Sequence, residues 1–194
     1  VLIVGIDEAA VEADLVGGRI CCPNCDSGLR PWGHASEREV RLAKRSERRR
    51  PRRSICRACT ATHVLVPEDT LLRRRDGVEV IGAALVAKAQ GRGHRRVAAD
   101  LGRVASTVRG WLRRFGLRAV VIREHFTRWA HVLGPGHDRR WAGASAFCDA
   151  VEAIGVAGAV AVRRFGPRSP WSLASVLTAG RLLANTSCPF PPPA

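Results

Sequence analysis

The sequence predicts a mainly α-helical protein with a small β module on its N-terminal side. Three observations carry this. Two Cys-x-x-Cys pairs, Cys22-Pro23-Asn24-Cys25 and Cys56-Arg57-Ala58-Cys59, bracket a stretch of short β-type segments. A helix–turn–helix pattern runs from His94 to Arg114. Beyond residue 118, apolar residues recur at helical spacing. The predicted fold is therefore mainly α with a small β zinc ribbon, and a helix-turn-helix followed by a C-terminal helical bundle.

Taken in order, Val1 to Ile6 are apolar and β-branched and predict a short strand. Asp7 can cap a helix from Glu8 to Val16, ended by Gly17-Gly18. This 1–18 segment is acidic and is expected to pack on basic surface. Residues 19–67 form the cysteine module. Within it, 37–43 and 52–56 are expected to pair as an antiparallel ribbon with 45–50 at its tip, and Val64 to Val66 adds a strand before Pro67. Residues 68–118 read as helical, with helices over 78–90, 94–101 and from 105 or 106 to 115. Residues 119–184 predict helices over 120–133, 141–154, 157–165 and 171–184. The proline-rich 185–194 predicts a disordered tail.

Two residues between cysteines let both sulfurs of a tight turn face one ion, and two such turns supply the four thiolates that tetrahedral zinc prefers. Cys22, Cys25, Cys56 and Cys59 are thus the expected ligands of one structural Zn²⁺. The spacing leaves Cys21 as an alternative to Cys22, and His63 as an alternative ligand four residues past Cys59. A reducing compartment favours metal over disulfide for these pairs. Cys148 and Cys188 have no partner spacing.

The formal charge is +15 with a pI near 11.3, and such a balance favours a polyanionic partner. Its placement is uneven. The acidic first 21 residues give way to an excess of arginine over 22–75 and again over 88–118, the two stretches that hold the motifs. Arginines 45, 48, 49, 50, 52 and 53 crowd the excursion between the cysteine pairs, and Arg49, Arg50 and Arg52 are expected phosphate contacts. No apolar run approaches the roughly 20 residues that span a bilayer. The expected location is cytoplasmic and nucleoid-associated, with no membrane partner.

In the 94–114 stretch, Val97 and Leu101 give one helix its apolar face, and Ala98 is small where the next helix must cross. Gly102 suits a left-handed turn, and Val108 and Trp111 face inward. Outward positions are polar or small. Ser106, Thr107, Arg109 and Arg113 are the expected readers of base edges. Arg92, Arg95, Arg96, Arg103 and Arg114 are the expected phosphate contacts. Double-stranded DNA is the expected partner. Trp129, Trp141 and Trp171, with Gly143, Ala144, Ala157 and Gly158, read either as core or as a homodimer interface through the C-terminal helices.

The order C-P-x-C, Trp32-Gly33-His34, arginine-rich ribbon, C-x-x-C, Thr62-His63-Val64-Leu65, Gly93-His94-Arg95-Arg96 and Ser106-Thr107-Val108-Arg109-Gly110-Trp111-Leu112 resembles a bacterial family that joins a zinc ribbon to a helix-turn-helix. That architecture is similar to the N-terminal, DNA-binding half of insertion-sequence transposases. The resemblance itself carries over no function; the motifs and the charge together predict sequence-specific duplex binding, as a transcriptional regulator or mobile-element accessory protein. Two alternatives stand beside it: the DNA-binding subunit of a nuclease or recombinase whose catalytic residues lie in another chain, and a structural RNA-binding protein. No catalytic residues are expected. After residue 118 the acids are only Glu124, Asp138, Asp149 and Glu152, too few and too scattered for a two-metal carboxylate site. His125, His131 and His137 read as exposed helix histidines.

Overall fold

The computed structural model describes residues 1–134, 143–184 and 190. A strand β1 (Leu2–Val4) leads into α1 (Glu8–Val16), where the Asp7 carboxylate accepts from the Ala9 and Ala10 N–H groups at 3.0 and 3.1 Å. This satisfies two of the four free donors that open any helix. Strands β2 (Leu29–His34), β3 (Arg38–Arg41), β4 (Ser46–Arg49), β5 (Arg52–Cys56) and β6 (Thr62–Pro67) follow. Helices α2 (Val78–Ala89), α3 (His94–Asp100), α4 (Ala105–Gly116), α5 (Ala119–Leu133), α6 (Ala146–Phe165) and α7 (Pro170–Leu177) complete the order. Among the described residues, no helix is long and apolar enough to cross a membrane.

The sheet has the order β1-β6-β5-β2. β1 pairs parallel with β6, Leu2 opposite Leu65, and the other two pairings are antiparallel. The first residues therefore belong to the same sheet as the cysteine module. Leu15, Cys22, Leu29, Cys56 and Leu65 close its small core. The acidic segment packs on basic surface as expected, through Glu12. Both its oxygens accept from Arg52, at 2.8 Å each, and that bond is the main cause holding the Glu12 carboxyl below its usual range.

The ribbon pairing differs from the expected one. β3 pairs with β4, from Arg38↔Arg49 to Arg41↔Ser46, while β5 lies between β2 and β6. A strand has two hydrogen-bonding edges, and β5 has filled both. The Leu42 N–H reaches the Arg45 carbonyl at 2.8 Å and closes a turn short enough to bring 46–49 beside 38–41. Pro51, without an N–H, separates β4 from β5.

The larger core lies among the helices. α2, α3 and α4 pack on one another, α5 packs along α6, and α7 packs on α6 and α2. Gly102, at φ +61°, turns the chain between α3 and α4, as a residue without Cβ does at little cost. Gly82 of α2 lies against the Trp171 ring so closely that a Cβ there would overlap it, and Gly158 sits beside Pro170 in the same way. Trp171, Ala157 and Gly158 are therefore part of the core. Gly143 and Ala144 are exposed.

Three helical expectations are corrected. Residues 68–77 run as turns rather than helix. The two helices expected over 141–154 and 157–165 are one, because Ala150, Ala153, Ile154, Ala157 and Ala161 form an unbroken buried stripe and Gly155 stays on the exposed side. The last helix stops at Leu177 rather than 184. Ala179 and Gly180 there take φ of 48° and 72°, and the Gly180 carbonyl accepts from Leu72 N–H at 2.9 Å. Leu182 and Leu183 then return to the core. His125 is buried rather than exposed, with Nε2 2.9 Å from the Leu177 carbonyl and its ring 4.9 Å from Phe190. His137, Asp138, Trp141, Cys188 and the tail apart from Phe190 lie outside the described residues.

One carboxylate ties the module to the helices. Asp76 is 2% exposed and accepts from Arg103 Nε at 2.5 Å and Arg41 Nη2 at 2.7 Å. Arg103 also donates to the Leu42 carbonyl at 3.0 Å and to the Leu101 carbonyl at 3.2 Å. Backbone bonds from Arg41 N–H to the Arg75 carbonyl, and from Gly77 N–H to the Arg41 carbonyl, run beside them. Removing one partner of a buried, hydrogen-bonded pair leaves the other charge uncompensated. Asp76→Ala should therefore cost about 3–5 kcal/mol in urea unfolding, whereas a loss under about 1 kcal/mol would match a surface pair and reject the assignment.

Burial, helped by Arg128 and opposed by the Leu177 carbonyl, holds the His125 pKa below its usual value. Between that lowered value and about 6.5 the unfolded chain binds a proton that the folded chain does not, so stability rises with pH and is lost as pH falls below about 6.5. From about pH 7.5 to about 5.5, wild type should lose more stability than His125→Gln, by up to about 1.4 kcal/mol per pH unit. Identical pH profiles of unfolding free energy for the two proteins would show that His125 does not titrate across unfolding.

Candidate metal centre and basic groove

The two cysteine turns share one geometry. In the first, Asp26 N–H reaches the Cys22 carbonyl at 2.9 Å and Cys22 N–H reaches the Ser27 carbonyl at 2.8 Å. In the second, Cys56 N–H reaches the Ala61 carbonyl at 2.9 Å. The residue after each second cysteine, Asp26 or Thr60, takes a left-handed φ of 57° or 59°. β5 carries Cys56 to the base of the first turn through the Leu29↔Cys56 register.

The four sulfurs of Cys22, Cys25, Cys56 and Cys59 lie within 4.8 Å of one another. Cys22 and Cys59 are 3.6 Å apart, and Cys25 and Cys56 3.4 Å. Sulfurs at metal–sulfur distances of about 2.3 Å around a tetrahedral ion stand at nearly this separation, so the set fits one metal ion. With four protein thiolates, such a site is closed and has no position for a reacting water. The Cys59 N–H, 3.4 Å from Cys56 Sγ, is the main cause holding the Cys56 thiol below its usual value, while the neighbouring sulfurs push the Cys59 thiol up. A thiol so lowered presents the thiolate that a metal binds.

The open ligand choices resolve. Cys21 is exposed and directs its sulfur toward the Arg19 carbonyl at 3.9 Å, outside the cluster. His63 is buried with Nε2 3.6 Å from Cys22 Sγ, so it touches one ligand and belongs to the surround of the site.

The expected base-reading residues share one helix. α4 buries Val108, Trp111, Leu112 and Phe115 and exposes Ser106, Arg109 and Arg113 on its other side. Thr107, Gly110 and Arg114 lie on its flank. There they border a groove of about 350 Å³ whose other wall is Arg73, Arg74 and Arg75. The Arg74 guanidinium donates to the Leu183 carbonyl at 2.5 Å, and burial together with the charges of Arg114 and Arg73 lowers its pKa. Cations thus crowd this groove. The 73–75 loop escaped the sequence reading, although three consecutive arginines were visible. Its run carried no pattern connecting it to α4, and only the fold puts the two together.

The expected phosphate contacts divide. Arg95 and Arg50 are exposed and make no ion pair among the described residues. Arg96 is exposed, 3.5 Å from Asp100, and Arg92 pairs with the same carboxylate. Three of the arginines expected at phosphates are instead held by carboxylates of the protein. Arg103 holds Asp76, and Arg52 holds Glu12. Arg49 grips both oxygens of Asp69 at 2.5 and 2.6 Å and also pairs with Glu47. Nearby carboxylates outcompete a distant phosphate for these guanidiniums because the protein has already fixed the pairing geometry.

The chain matches no protein-family model, no curated protein and no solved structure.

Purified without chelators, the protein should carry one metal equivalent per chain. Cys25→Ser should lose it and melt the β1–β6 module, because binding energy at such a site is folding energy. Elemental analysis of wild type giving well under one metal per chain would reject the centre.

Proposed function

We propose that this protein binds double-stranded DNA sequence-specifically, with α3 and α4 as a helix-turn-helix and one structural zinc in the four-thiolate site. The observation that carries the reading is the pairing of an exposed polar face on α4 with an arginine-walled groove along its flank. A helix of twelve residues is about 18 Å long, and the major groove, about 12 Å wide, admits it. Arg109 and Arg113 would meet guanine O6 and N7, and Ser106 and Thr107 the neighbouring bases. Arg73, Arg75, Arg95, Arg96 and Arg114 would lie toward phosphates and fix the register without reading sequence.

Zinc is the metal of this reading because it suits four thiolates in tetrahedral geometry without redox chemistry. The protein acts in this account as a regulator or mobile-element accessory protein, binding rather than cutting. The arginine-rich charge supports a nucleic acid partner, and the groove's place beside an exposed α-helix favours duplex DNA over duplex RNA, since A-form RNA has a major groove too narrow for a helix.

Selection from a random duplex pool should return a defined motif. Arg109→Ala should cost about 1–3 kcal/mol on that motif and relax one base position. Arg73→Ala and Arg75→Ala should weaken all duplexes alike, each lowering the salt slope by about 1. An unchanged motif and affinity in Arg109→Ala, or tighter binding to RNA or single-stranded DNA than to duplex, would overturn the assignment.

A further inference from the structure

A second concavity shares no residue with the groove along α4. It opens between α1 and the β3–β4 hairpin and has a volume of about 320 Å³. Val4, Val11, Leu65 and Pro67 give it an apolar side. Arg38, Arg49, Arg50 and Arg52 give it a cationic one, with Glu8, Glu12 and His34 completing the lining.

The four arginines of this cleft meet four carboxylates, Glu8, Glu12, Glu47 and Asp69, but the pairing is unevenly shared. Arg49 is neutralised by Asp69 and Glu47, and Arg52 by Glu12. Glu8 is exposed. Arg38 and Arg50 make no ion pair among the described residues. Arg38 stands directly across the hairpin from Arg49, and like charges placed opposite each other destabilise a strand pair. The nearby carboxylate of Asp69 gives both its oxygens to Arg49. Arg38 keeps one long hydrogen bond, from Nη2 to Thr70 Oγ1 at 3.4 Å, and its Nε is buried with no partner. Burial first, and then Arg49, push its pKa below the usual arginine value, against the pull of Asp69. A buried donor left unpaired costs its lost hydration, and a bound oxyanion recovers that cost.

We propose that this cleft binds a small organic oxyanion with an apolar body. Arg38 and Arg50 take the anionic head, and Val4, Val11 and Leu65 take the apolar part. Two guanidiniums match the planar or tetrahedral oxygens of a carboxylate or phosphate monoester, and the apolar side excludes inorganic anions as the best fit. The site is independent of the DNA-binding reading, since no residue of α3 or α4 contributes to it.

The test is titration calorimetry on the metal-loaded full chain at fixed salt, with four probes: phenyl phosphate, benzoate, inorganic phosphate and benzyl alcohol. Phenyl phosphate or benzoate should saturate one site at least about tenfold more tightly than inorganic phosphate or benzyl alcohol. Arg38→Gln should weaken that binding about tenfold or more, and Arg50→Gln should weaken it also, while Arg95→Gln on α3 should leave it unchanged. Arg50 and Arg95 are exposed, so these two variants decide the matter even if Arg38→Gln folds poorly. Metal content and melting temperature are read for each. No saturation by either organic anion would overturn the proposal. So would an Arg95→Gln loss equal to that of Arg50→Gln, since the diffuse field of a +15 chain gives that result without a site.

Discussion

Asp76 is the point on which the two halves of this molecule depend. Its carboxylate is buried between Arg41 of the β3–β4 hairpin and Arg103 of the α3–α4 turn. A lone carboxylate in that position would be expensive; with two guanidiniums and a hydrogen-bonded frame it becomes a joint. The joint sets where the hairpin lies against the helices. It also sets the 73–75 loop beside α4, because that loop ends at Asp76 itself. Without it, the metal module and the helical core would be tethered only by chain and by weaker contacts such as the parallel bridge between Arg41 and Asp76.

A high arginine content does two different kinds of work here. Arg41, Arg49, Arg52 and Arg103 act as internal ties, each matched to a carboxylate 20 to 40 residues away in the chain that the fold brings near. Arg50, Arg73, Arg75, Arg95, Arg109 and Arg113 make no ion pair among the described residues and face solvent or a groove. Guanidinium suits both, since its planar fork holds a carboxylate in two bonds and a phosphate or guanine edge in the same way. The net charge therefore does not show which arginines are paired internally; the fold does.

The metal site and the groove are also connected through this frame. The four sulfurs close the base of the β2–β5–β6 sheet, the hairpin leaves that sheet between β2 and β5, and the hairpin then reaches Asp76. A structural ion in the thiolate set would thus stiffen a platform that ends at the arginine groove. Under the proposed DNA-binding reading, the zinc would then support duplex binding without any contact to the duplex.

Some of this was written locally and some was not. The paired Cys-x-x-Cys spacing determined the four-sulfur cluster, because each turn needs only neighbouring residues to aim two thiols at one point. Local capping and periodicity likewise determined α1 through Asp7, and α2 to α5 closely, with Gly102 at their tightest turn. Pairing partners were not local. Which strand lies beside β5 depends on edges filled by β2 and β6 from elsewhere in the chain, so the ribbon was misread. The helices expected over 141–154 and 157–165 run as one because the contacts that bury Ala153 and Ala157 come from parts of the chain distant in sequence. The roles of individual arginines were the least legible of all. Arg50 and Arg52 stand two residues apart with the same side chain, yet one is exposed and the other holds Glu12. Only the tertiary structure decided this, because an arginine's role is set by whichever carboxylate the fold brings within reach.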